Sequence, residues 1–106
     1  MKVSTLVLLA STVLGIVAFN PLIASAGEVA NRLERQQDRI HQGVKDGTIS
    51  KKEYKNLEHR EASINKQRVA DLKKDGGHLT AKDYHQLNRR EDHVSKAIHR
   101  DRHNDK

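Results

Sequence analysis

Cysteine and tryptophan are absent from the 106 residues, and proline occurs once. Without cysteine there is no disulfide to brace a small chain, no thiolate nucleophile and no thiolate metal ligand. The one phenylalanine, Phe19, lies in an amino-terminal apolar run, which leaves Tyr54 and Tyr84 as the only other residues of the Phe, Tyr or Trp type. Large aliphatics beyond residue 26 number 13 in 80, from Val29 to Ile98. That lies below the roughly 20% under which disorder enters consideration. So short and polar a chain excludes a multidomain protein and argues against an enzyme-sized core. Gly-rich phosphate loops, a G-x-S-x-G elbow and Cys-His sets are also missing, so no catalysis is expected.

What is present begins with a signal-like segment. Met1-Lys2 supplies a positive start, residues 3–19 are apolar apart from Ser, Thr and Gly, and Asn20-Pro21 breaks the run. Ala24-Ser25-Ala26 has the small-x-small pattern of a cleavage site, which predicts Gly27 as the mature amino terminus. The alternative is an anchor that is never removed. No cysteine follows the run, so lipid attachment there is excluded, and no second run can span a bilayer. The expectation is a periplasmic or secreted protein, with residues 1–26 as signal and 27–106 as one helical repeat domain. Membrane contact is expected only through the signal before cleavage.

The remainder repeats itself. Residues 47–68 and 77–98 align without a gap at an offset of 30, with identities including Gly47/Gly77, Tyr54/Tyr84, Leu57/Leu87, Arg60/Arg90 and Glu61/Glu91. A weaker third copy places Leu33, Gln37 and Ile40 on Leu57, Glu61 and Ile64. The unit is one helix with its entry turn. Ser50 as N-cap makes Glu53 the third helical residue, a capping box, with Ile49 and Tyr54 as a hydrophobic staple. Thr80, Asp83, Leu79 and Tyr84 repeat the arrangement, and Gly47 and Gly76-Gly77 suit the left-handed residue that ends a helix.

Helices are therefore predicted over 28–46, 51–75 and 81–103. Their apolar stripes are Val29, Leu33, Gln37, Ile40, Val44; Tyr54, Leu57, Glu61, Ile64, Leu72, with Val69 alongside; and Tyr84, Leu87, Glu91, Val94, Ile98. Each carries a polar residue mid-stripe, so Gln37, Glu61 and Glu91 are expected to form a polar seam, with the adjacent Arg60 and Arg90 available as charge partners. The fold class is all-α: two to three antiparallel amphipathic helices joined by short Gly-containing turns, as an elongated hairpin or a three-helix bundle. The thin stripes also raise a homodimer as a way to complete the core.

Three features invite chemistry. Asp46-Gly47-Thr48-Ile49-Ser50 followed by Glu53 resembles the second half of an EF-hand loop, but the frame puts Gln42 and Val44 at positions one and three, and Leu72 and Lys74 in the second copy. Calcium needs six to eight oxygens, which these loops do not collect. Seven histidines occur. His99 and His103 are one helical turn apart, where they could share Zn, Cu or Ni; His85 and His93 are two turns apart, too far to share one ion unaided. Finally, Lys and Arg beyond residue 26 number 19 against 14 acids, a charge of +5 with neutral histidines. Anionic envelope polymers are therefore candidate partners, although the charges are interspersed and Glu28/Arg32 and Asp92/Lys96 are spaced to pair. No nucleic-acid motif appears, so specific nucleic-acid binding is not expected.

The signal segment, the Gly-x-Leu/Ile-Ser/Thr-x-x-acidic turns at 47–57 and 77–87 and the His-rich tail together resemble a loose group of small secreted bacterial proteins of unassigned function. Leu79-Thr80 is similar to the Leu-Thr-x-x-Gln turn of Spy/CpxP-type periplasmic chaperones, with Asp83, or Glu53 in the other copy, in place of Gln. That resemblance implies a helical hairpin acting as a dimer. The functional expectation is an exported helical binding protein holding transition metals weakly through His and carboxylate groups, in envelope or metal stress. The alternatives are a self-associating or chaperone-like envelope protein and a polyanion binder.

Overall fold

The computed structural model describes residues 21–104. Three helices run through them: α1 over Pro21–Asp46, α2 over Lys51–Lys74 and α3 over Ala81–His103. Each packs against both of the others. The result is a three-helix bundle measuring 49 × 29 × 20 Å. Most of the proposed signal, residues 1–20, lies outside the described residues. None of the described helices is long and apolar enough to cross a membrane.

The two turns are built alike, as the repeat requires. Ser50 Oγ accepts from the Glu53 N–H at 3.1 Å while Glu53 Oε1 accepts from the Ser50 N–H at 2.9 Å. Thr80 and Asp83 reproduce the box, and both caps hold nearly the same extended backbone, with φ −74 and ψ 166 or 164. Preceding them, Gly47 has φ 79 and Gly77 has φ 98, conformations in which a side chain would clash with its own backbone. Gly47 directly follows α1; after α2 the left-handed residue next to the Asp75 cap is Gly76, with φ 74, and the Gly77 N–H reaches back to Leu72 O at 2.7 Å. The helix boundaries match expectation at α3; α2 stops at Lys74 with Asp75 as its cap. α1 is described from Pro21 rather than from residue 28.

The core holds Val29, Leu33, Ile40, Ile49, Leu57, Ile64, Leu79, Leu87, Val94, Ala97 and Ile98, with Tyr54, Leu72 and Tyr84 packed on it. It corrects the predicted α1 stripe in two places. Gln36, 2% exposed, takes the interior position assigned to Gln37, and Gly43 is buried while Val44 is 44% exposed. The interior positions on α1 are thus 29, 33, 36, 40 and 43, steps of four and three that follow the seam of a left-handed bundle. Gly43 is inside because Ile49 folds back over it. On α2, Val69 is likewise 44% exposed. The three stripes face one another, so the hairpin alternative gives way to the bundle.

Cross-helix pairs also replace the expected pairs along single helices. Arg32 bonds Asp92 at 2.6 Å and Asn88 at 2.7 Å, and the Tyr84 hydroxyl donates to Glu28 at 2.9 Å, all three between α1 and α3.

Candidate functional site

A polar layer crosses the bundle. Gln36 donates from Nε2 to the Glu91 carbonyl at 2.9 Å, fixing α1 against α3. Glu61 and Glu91, which occupy equivalent positions in the repeat, are 4% and 1% exposed. None of their four carboxylate oxygens meets a donor in hydrogen-bond geometry. Arg60 and Arg90 do not partner them: Arg90 donates instead to Gln67 and to Ser63. Sequence neighbours on a helix diverge by about 100°, so an Arg next to a buried Glu points elsewhere. Gln37 lies at the flank, donating to Glu58 at 3.0 Å.

Loss of hydration therefore dominates both carboxyls. Burial, then Glu58 and Glu91, push Glu61 up to about 7, against a smaller opposing effect of Gln37. Burial likewise pushes Glu91 up to about 7; Arg32 and Arg35 oppose this, whereas Asp92 and Glu28 add to it.

On either flank of α1 lies a groove, and the two differ in charge. Between α1 and α3 the lining is Arg32, Arg35, Gln36, Asp38, Arg39 and Ser95. The arginines are three and four residues apart and so share a face. Arg39 donates to the Ser95 hydroxyl at 2.9 Å and not to a carboxylate. Burial, then repulsion from Arg102 and Arg32, pulls the Arg39 guanidinium below its usual range. Cations are thus crowded where α1, α3 and the carboxyl-terminal turn meet, and an anion would relieve the crowding. Between α1 and α2 the lining has the opposite character: Glu34, Glu58 and Glu61 stand against a single guanidinium, Arg68. Composition did not reveal either groove, because each depends on which faces of two helices meet.

The histidines are dispersed. His85 and His93 are exposed at separate places on α3, with the His85 ring tilted against Tyr84 at 5.6 Å between centroids. His99 and His103 are also exposed and do meet: their rings stack 4.1 Å apart. His103 Nδ1 lies 2.7 Å from the His99 carbonyl, so it carries the proton, and Nε2 is left as the basic nitrogen. Among the described residues no group of three or more His, Asp or Glu side chains is placed to hold a metal ion. Asp83 in the second cap also faces Asp75, and the interaction lowers Asp83 and raises Asp75.

The chain matches no protein-family model, and no curated protein and no solved structure is significantly similar to it.

Proposed function

We propose that this is an exported, non-catalytic helical binding module that holds anionic envelope polymers in the arginine groove between α1 and α3. The observation that carries the reading is the row of Arg32, Arg35 and Arg39 along one face of α1, in a lining with one carboxylate, Asp38; Arg32 also pairs with Asp92 at the edge, while Arg39 bonds only Ser95. Guanidinium groups fit phosphate, sulfate and uronate oxygens with paired hydrogen bonds, so a row of them on a rigid helix suits a repeating anion. The excess of basic residues supports the same reading at longer range. Export rests on the amino-terminal segment alone.

The test is titration of the protein with lipopolysaccharide, a polyuronate and duplex DNA over 50 to 200 mM salt. Binding to all three is expected to weaken as salt rises. Arg35→Gln/Arg39→Gln should cost about tenfold and, for duplex DNA, flatten the log–log salt slope by about 1.8. Binding indifferent to that pair would refute the groove as the site.

The stacked His99–His103 pair favours a second reading, weak capture of Zn, Cu or Ni at the exposed end of α3. With two ligands it falls short of a closed four-coordinate Zn site, and the neighbouring Arg100 and Arg102 weaken capture of any cation. Calorimetric titration of each metal should give heat that disappears in His99→Ala/His103→Ala; retention of the heat would remove the pair from consideration.

A further inference from the structure

The second groove, between α1 and α2, stands apart from the anion reading. Its volume is about 290 Å³, and its walls combine apolar Ala30, Leu33 and Ala62 with Gln37, Asn65 and the three carboxylates. That is the scale of a small metabolite rather than of a drug-sized ligand or a peptide. Its buried carboxylates mark it as more than an acidic patch. Glu61, although 4% exposed, contributes to the lining with both oxygens unpartnered, and Glu58 Oε2 is unpartnered as well. The one cation in the lining, Arg68, is turned toward another lining residue, donating from Nε and Nη2 to Asn65 Oδ1 at 3.1 and 2.8 Å and to neither Glu58 nor Glu61.

We infer that this groove binds a primary alkylammonium, its charged head on Glu61 and Glu58 and its stem along Ala30, Leu33 and Ala62. An ammonium carries three donors on one centre, which matches the unpartnered oxygens, while a bare divalent cation would need more oxygen ligands than are gathered here. The apolar walls select for a chain behind the head and against inorganic cations.

The titration of Glu61 gives the site a pH signature. Around it stand Glu34 and Gln37 from α1, Glu58 and Arg68 from its own helix and Glu91 from α3, and it stands at about 7. It must be ionised to bind, so binding releases a proton, and affinity should fall about tenfold between pH 8 and pH 6.

The experiment is an NMR titration of the protein with 1,4-diaminobutane and with 1-aminobutane at pH 8, following the backbone amides of Ala30, Ala62 and Asn65, with magnesium chloride as comparison. Both amines are expected to shift these signals saturably, and magnesium is not. Glu61→Gln, which removes a buried charge and should leave the fold intact, is expected to weaken binding at least about tenfold. Ala62→Leu, at an exposed position, keeps Glu61 and fills the groove, and should block binding as well. No saturable shift with either amine, an equal response to magnesium, or binding unchanged in both variants would each overturn the assignment.

Discussion

A methyl group added at Gly43 would overlap the Ile49 side chain and come within 3.1 Å of Arg102 Cγ. Two effects oppose each other there. Alanine is favoured over glycine inside a helix by about 1 kcal/mol, while forcing an extra carbon into a packed core costs about 1–3 kcal/mol. Ile49 is 4% exposed and sits directly before a capped helix, so it has little room to yield, and overpacking wins. Gly43→Ala is accordingly expected to destabilise the protein by about 1–2 kcal/mol in urea unfolding, against the helix-propensity trend. The neighbouring positions form a contrast: Ile40→Ala should cost about 2–4 kcal/mol and Val44→Ala less than about 0.5. Equal losses at residues 40 and 44 would contradict the placement of the α1 seam. That seam was only partly legible in the sequence. Val29, Leu33 and Ile40 point inward on either reading, but steps of four or three through Gln36-Gln37 and Gly43-Val44 differ by one residue, and no local preference favours a buried Gln or Gly. Packing against Glu91 and Ile49 decides both.

The turns, by contrast, are written in residues that act on their own neighbours, which is why both could be read before the structure. Ser50→Ala and Thr80→Ala each remove one capping hydroxyl and should each cost about 1 kcal/mol. The two caps lie at opposite ends of α2, a helix of 24 residues and hence about 36 Å, so the double variant should lose the sum within about 0.5 kcal/mol. Thermal unfolding of the four proteins closes the cycle; marked non-additivity would mean that the helices do not form the independent turns described. The grooves belong to the opposite category. Arg32, Arg35 and Arg39 can be seen to share a face, but the approach of Arg102 from α3 depends on how two distant segments dock. The same holds for Arg32, whose partner is Asp92 across the bundle at 2.6 Å and not Glu28 one turn away.

At the level of the whole bundle, Glu61 and Glu91 set how stability varies with pH. Both have folded-state values near 7, raised from 4.5. A carboxyl raised in this way binds its proton more tightly folded than unfolded. Its contribution is fully present below pH 4.5 and is lost as pH climbs through 7. Each group accounts for about 2–3 kcal/mol across that window. Between pH 5 and pH 8.5 the melting temperature is therefore expected to fall, the reverse of the usual behaviour of a salt-bridged carboxylate. Glu61→Gln/Glu91→Gln should flatten that slope and be the more stable protein at pH 8.5. A wild-type midpoint that rises over the same interval, or a double variant that keeps the wild-type slope, would show that the two carboxylates are compensated in the folded state.

The polar layer contains five acceptor oxygens without a donor: Gln36 Oε1 and both oxygens of Glu61 and Glu91. Protonating the two carboxyls supplies the hydroxyls that such a layer lacks. Folding in a neutral medium is then partly an acid–base reaction, with the chain drawing protons from its buffer as the helices close. The heat measured on unfolding should accordingly depend on the ionisation enthalpy of the buffer chosen. In an unbuffered compartment, a large population of these chains folding or opening together would itself shift the acidity to which each of them responds.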